Sequence, residues 1–242
     1  MTYMKNILKI LSVLLLISAN PIQSQSLDDV LKQHFSAIGQ DNLLKVNTQR
    51  VTGKMIQNGV EVPFTQLAKR PNKVRVEGTF QALTFIQTFN GKEGWAVNPF
   101  AGVTDPQPMP EDALKSMKYQ SDIDGMLWNW KEKGYTVTLE GKEDMEGTSC
   151  YKIKLITKDD DSFVFYIDSD SYIMIRTNTK IKVMGNETES DTYFSNYMQV
   201  EGLAVPGKIE TKMNGQLAGT IVIEKVELNI DLADSQFEKP TK

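Results

Sequence analysis

The strongest constraint on this chain is a change of period at Thr48. From there to Ile230, apolar and polar residues alternate in short runs, punctuated by Asn58-Gly59, Asn90-Gly91 and Asn214-Gly215. Alternation turns one face of a strand to a core and the other to water, and Asn-Gly favours tight hairpins. Strands are expected on both sides of Asn58-Gly59 and through "KVRVEGTFQALTFIQTFNGKEGWAV", with turns near Gly78 and Asn90-Gly91. Further strands are expected around Tyr135–Leu139, Cys150–Thr157, Phe163–Asp168, Tyr172–Lys180, Glu189–Gln199, Ala204–Met213 and Thr220–Ile230, with a turn at Glu140-Gly141 among those between them. About ten or eleven antiparallel strands with short connections predict a mainly β protein, a large curved sheet or barrel. No repeat or linker divides it, so residues 27–242 are expected to form a single domain.

Two segments depart from the alternation. "SLDDVLKQHFSAIGQDNLLKV" reads as a helix, with Ser26 as N-cap, Asp28 and Asp29 in the first turn and Gly39 as its stop. Leu27, Val30, Leu31, His34, Phe35 and Ile38 share one apolar face. The second departure is Pro99 to Gly134. "FAGVTDPQPMP" reads as loop, and "PEDALKSMKYQSDIDGMLWNWKEKG" as one or two short helices, with Pro110 suited to the first helical position. Helices inserted between sheet strands must lie across a face or mouth of that sheet.

Residues 1–26 form their own unit. Lys5 and Lys9 precede an almost unbroken apolar run from Ile10 to Ala19, and small residues follow. The run is about half the roughly 20 residues a membrane-spanning helix needs, so it reads as a secretory signal peptide and not as a stable membrane span. The sequence leaves cleavage after Ser24 or after Ser26. The only cysteine, Cys150, is far from the apolar run, so neither an acylated leader nor an internal disulfide is expected. The expected location is periplasmic: exported, soluble and not itself lipidated.

The full chain has 27 basic and 31 acidic residues, and loss of Lys5 and Lys9 moves the net charge from −4 to −6. Nucleic-acid binding needs the opposite balance, because basic surface must displace counterions.

Bulky apolar residues concentrate around the inserted helices. Leu83, Phe85 and Phe89 share one face of their strand, and Trp95 and Val97 share a face of the next. The insert adds Met117, Met126, Leu127, Trp128 and Trp130. One outcome is a packed core. The other is a pocket between sheet and helices, since flexible methionines accept varied ligands and a covered curved sheet makes a natural cavity.

"AKRPNKVRVE" (Ala68–Glu77) followed by "FNGKEGWAVNPFAGVTDPQP" (Phe89–Pro108) resembles the LolA/LolB-type periplasmic lipoprotein carriers. The matching pieces are Arg70-Pro71-Asn72, Asn90-Gly91-Lys92, Trp95 and Asn98-Pro99, in that order. Ala96 and Val97 depart from the larger aromatics common there. The resemblance implies an open, incomplete antiparallel barrel with a lid of short helices. It implies a carrier that shields acyl chains of lipoproteins or other lipid, between an inner-membrane donor complex and an outer-membrane acceptor. The family's arginine at the position of Arg70 helps hold the lid. Phe85, Phe89, Trp95, Met117, Met126, Leu127 and Trp130 are then the expected lining residues, and Arg70 the lid contact. An alternative is a non-enzymatic interaction module of the outer membrane whose cavity is filled.

Other chemistry finds little support. His34 is the only histidine and sits on the apolar face of its helix, so a Ser-His-Asp or zinc site would have to use a packed residue. Cys150 reads as a buried structural thiol. "KDDDS" (Lys158–Ser162) lacks the glycine and terminal glutamate of a calcium loop and reads as an acidic turn. No catalytic residue, metal site or cofactor is predicted.

Overall fold

Where the alternation starts, the chain enters one extended sheet. The computed structural model describes residues 25–183 and 186–241. After α1 (Leu27–Ile38) and the short α2 (Gln40–Leu43) come β1 (Thr48–Gln57), β2 (Val60–Lys69), β3 (Lys73–Phe80), β4 (Leu83–Phe89), β5 (Gly94–Asn98) and β6 (Val103–Pro108). Helix α3 (Glu111–Gln120) follows, then β7 (Thr136–Met145), β8 (Thr148–Ile156), β9 (Ser162–Asp168), β10 (Met174–Val183) and β11 (Asn186–Ser195). The chain ends with β12 (Met198–Val200), β13 (Leu203–Val205), β14 (Lys208–Met213) and β15 (Gln216–Leu228). Thirteen strands form one curved antiparallel sheet, in the order β6-β5-β4-β3-β2-β1-β15-β14-β11-β10-β9-β8-β7. β12 and β13 make a separate two-stranded hairpin. The end strands β6 and β7 are both edges, so the barrel stays open, and residues 109–135 run from one edge to the other.

Helix α1 begins where expected. The Ser26 hydroxyl accepts from the Asp29 N–H, and the Asp29 carboxylate accepts from the Ser26 N–H, a reciprocal cap. Gly39 closes the helix at φ 78°. Of the leader, residues 1–24 lie outside the described residues. A cut after Ser24 keeps this cap, whereas a cut after Ser26 removes it.

Several expectations are corrected. The stretch Val103–Pro108, read as loop, is a strand: β6 is an edge, and an edge tolerates the missing N–H groups of Pro106 and Pro108. The turn placed near Gly78 falls at Gln81-Ala82, both at positive φ, and β3 runs through Gly78. At Glu140-Gly141 the chain bulges without turning, with the register shifting between Leu139 and Lys142. A 3-10 turn, Pro99–Ala101, precedes β6, and of the one or two helices expected over 110–134, one forms, α3. Pro110 is its N-cap, not its first residue. Beyond Ser121 the chain proceeds in turns, with Gly125, Asn129 and Gly134 at positive φ.

Register sorts the side chains onto two faces. On the helix-covered, inner face of β7–β9 lie Val137, Tyr151, Ile153, Leu155, Phe163, Phe165 and Ile167, joined by Val30 and Leu31 of α1 and by Leu127 in one core. A second core joins Val74, Val76 and Phe89 to Met109 and Met117. A third, on the outer face, packs Leu67 against Leu232 and Phe237 of the C-terminal segment.

Candidate functional site

The site is built from the inner face of β1–β5 and the helix laid over it. Phe89 and Met117 are almost fully buried, with Ala113, Leu114, Met55, Phe85 and Ala96 around them. Gly94 admits α3 this closely: a Cβ there would come within 2.8 Å of Leu114 Cδ1 and 3.0 Å of Met109 Sδ. Beyond the reach of α3 the same face opens into a cleft of about 460 Å³. Its apolar lining includes Met55, Val60, Val62, Phe80, Phe85 and Phe100. Phe85 lies across Gly78, its cross-strand partner, and a Cβ on that glycine would approach the ring to 2.5 Å. No charged residue lines the cleft.

Polar contacts fasten the cover on two sides. Arg70 donates from Nη1 to Asp124 Oδ2 at 2.7 Å and from Nη2 to Asp124 Oδ1 at 2.5 Å, a two-pronged grip on the segment after α3. The same guanidinium donates to the Val46 and Leu43 carbonyls, so α2 and the start of β1 are tied in as well. The Asp124 hydrogen bonds push its pKa up. On the other side Asp161, fully buried, accepts from Lys115 Nζ (3.0 Å), Tyr119 Oη (2.7 Å) and the Lys182 N–H (3.3 Å). Burial, and then the bond to Asp161, push the Tyr119 phenol's pKa up. Tyr119 also meets Phe163 edge-on, with ring centroids 5.4 Å apart. Helix α3 therefore bridges the two halves of the inner face.

The residues expected to line a cavity fall in three places. Phe85 borders the cleft, and Phe89 and Met117 pack beside it under α3. Met126, Leu127 and Trp130 pack with the other core, against α1 and β7–β9, and Leu127 and Trp130 also border a separate hollow of about 990 Å³ beside α1. Trp95 joins neither group. It pairs with Thr88, and strand alternation puts both on the face opposite Phe89. There the Thr88 hydroxyl donates to the Phe237 carbonyl of the C-terminal segment. Trp95, expected among the lining residues with Phe89, thus lies on the far face, because a register one position different reverses a strand's face. Sequence reasoning also missed Met55, Val60, Val62, Phe80 and Phe100. The period-two runs Met55-Gln57 and Val60-Val62-Phe64 held the signal, but not which face would stay uncovered. Asp124 and Asp161 carried no sequence mark distinguishing them from other acidic turn residues.

Two further hollows are lined in part by charged residues. One of about 990 Å³ lies against the 127–132 segment, where Asp28, Lys32, Asp41, Lys45, Lys131 and Glu132 stand around Leu31, Phe35, Leu127, Trp128 and Trp130. Another, of about 500 Å³, is lined largely by charged side chains of α3 and the 157–159 turn. Though the first is larger than the apolar cleft, hydrocarbon there would strip water from charges, which is costly. His34 is buried, its Nδ1 2.8 Å from the Tyr172 carbonyl oxygen, and burial pushes its pKa down. Cys150 is buried and free, and burial raises its thiol's pKa. Among the described residues no cluster of metal-ligating side chains occurs, and no helix is long and apolar enough to cross a membrane.

An open sheet whose edges are joined by a covering strap is an incomplete barrel, and several solved structures share this fold. A LolA superfamily protein from Nitrosomonas europaea superposes with a TM-score of 0.61 at 14% identity, over 89% of this chain and 99% of its own. A DUF1329 family protein from Desulfovibrio piger gives 0.60 at 13% identity, over 86% and 97%. A domain from Vibrio parahaemolyticus, described as outer membrane lipoprotein-sorting, gives 0.56 at 12%, over 86% and 97%. At these identities the likeness establishes the fold. A family model described as "-like: Uncharacterized protein" matches residues 121–241, half of the chain, and the chain belongs to that family. A search of curated proteins finds no match to the chain.

Proposed function

We propose that this protein is a non-enzymatic periplasmic carrier that shelters acyl chains of lipids or lipoproteins on their way to the outer membrane. The observation that carries this reading is the charge-free cleft bordered by Phe85, opening beside the apolar core under α3. Its volume of about 460 Å³ falls within the roughly 300–1,000 Å³ of ligand pockets. Each methylene moved out of water contributes about 0.8 kcal/mol, so even a partly covered acyl chain is held firmly. Release needs a competitor, and α3 supplies one. Its Leu114 and Met117 occupy the apolar surface that a longer chain would use, so closure of the cover favours the empty state. An inner-membrane donor and an outer-membrane acceptor complete the reading.

One observation favours the alternative, an interaction module: the inner face of β7–β9 is filled by the protein's own side chains. Native mass spectrometry after gentle purification separates the two. A carrier shows lipid adducts, and Phe85→Asp, which puts a charge into the cleft, removes them. Protein that neither retains lipid nor takes up an added fatty acid would leave the interaction module as the better account.

A further inference from the structure

Six large apolar side chains are conspicuously exposed among the described residues, and five of them share one rim of the sheet. The antiparallel order places four hairpin connections side by side at that end of the strands: 98–103, 80–83, 57–60 and 213–216. They carry Phe100, Leu83, Val60 and Met213, with Leu217 one residue beyond the last turn, each between 41% and 57% exposed. Not one residue of these four connections is charged: they read "NPFAGV", "FQAL", "QNGV" and "MNGQ". Connections at the other end of the same strands are the reverse, "KRPNK" at 69–73 and "FNGKEG" at 89–94. Behind the neutral rim Lys54 pairs with Glu61 at 3.1 Å and with Glu224 at 3.9 Å, and Lys212, cross-strand from Leu217, has its ammonium 4.7 Å from the centroid of the Tyr193 ring. Charge returns to this end further along the sheet, with Lys182 and Glu187 on β10 and β11, Lys158 to Asp161 in the 157–161 turn and Lys133 before β7.

We propose that this rim seats on a lipid bilayer, with the five apolar tips entering the headgroup boundary and the cleft mouth facing the membrane. Eight strands at about 4.8 Å spacing make the rim roughly 35 Å long, a line of separate tips instead of one flat patch. A line of tips suits a soft, fluid surface, and four neutral turns can be dehydrated there without the cost of stripping water from charge. The rim offers no ion pair to a protein partner and no cationic cluster to anionic headgroups. Gln57, Val60, Phe80, Asn98 and Phe100 belong both to these turns and to the cleft lining, so the cleft opens at the rim. This last point rests on the carrier reading; the membrane contact itself does not.

Vesicle flotation of the full mature chain tests the inference, with phosphatidylcholine vesicles and with the same vesicles containing phosphatidylglycerol. The protein is expected to float with both, to a similar extent and regardless of salt. Leu83→Asp combined with Leu217→Asp lies outside the cleft lining and is expected to lower the bound fraction roughly tenfold, since several buried methylenes are lost. Circular dichroism and unchanged lipid adducts would show that the variant is folded and its cleft intact. The proposal falls if the wild type does not float, if it floats only with anionic vesicles and is released by salt, or if the double variant binds as well. It falls also if the rim instead holds two copies together, seen as a dimer that the double variant dissociates and that does not float. Lipid adducts without flotation would sink the rim alone; flotation without adducts would sink the carrier alone.

Discussion

Between β7 and β9 the inner face is sealed: α1 and the 126–130 segment close over Ile153, Leu155 and Ile167, each wholly inaccessible to solvent. Between β1 and β5 a single ten-residue helix covers the same face of the same sheet, and the remainder is an open cleft. Strand alternation is equally regular in both regions, so the difference comes from what each half receives as cover. Two layers of covering chain make a core; one short helix leaves a cleft. The contrast sets wholly buried residues in one half against half-buried ones such as Phe85 in the other.

Mutations that fall on opposite sides of this contrast test it most directly. Leu155→Ala, in the sealed half, is expected to destabilise by about 2–5 kcal/mol in chemical denaturation, whereas Phe85→Ala, at the cleft, should cost about 1 kcal/mol. Equal losses would mean that the two halves are equally packed. Asp161→Ala removes the acceptor that fastens α3 to the sealed half. It strands the Lys115 ammonium and the Tyr119 hydroxyl, and a loss of about 2–3 kcal/mol is expected from the same measurement. Arg70→Leu frees Asp124 on the other side at about 1–2 kcal/mol. Its sharper signature is faster exchange of a fluorescent fatty acid. Unchanged exchange kinetics would remove Arg70 from the opening of the cover.

The smallest effect is a pH dependence confined to the sealed half. His34 is buried as the neutral ring, and its pKa is depressed below the ordinary value of 6.5. As pH falls through about 6.5 the unfolded chain takes up a proton that the folded chain refuses, so this residue's contribution to stability declines with acidity. Melting temperature should therefore fall modestly from about pH 7.5 to about pH 5.5, and less steeply in His34→Gln. A parallel pH profile in that variant would assign the decline to other groups.

Much of the frame was legible in the sequence. Ser26, Asp29 and Gly39 mark α1 because capping is local chemistry, and Asn58-Gly59 and Asn214-Gly215 mark hairpins for the same reason. β6 was missed because proline argues against a strand until its edge position is known, and only the assembled sheet supplies that. The site was legible in part. Phe85, Phe89 and Met117 meet on one side of the sheet, but Met126, Leu127 and Trp130 belong to the other core, and Trp95 lies on the far face. Arg70 was found through its motif, whereas its partner Asp124 lies 54 residues away with no local pattern to single it out. Long-range partnership and one-residue register are what a pattern of periods cannot fix.

Residues 109–135 are sewn at one end to β6 and at the other to β7. Cover and curvature are thus a single mechanical variable, like a bowstring and its bow. Raising the string relaxes the bow, and anything that forces the two margins apart must draw the string tight. A guest entering the cleft would be registered across the whole width of the sheet, including the half it never touches.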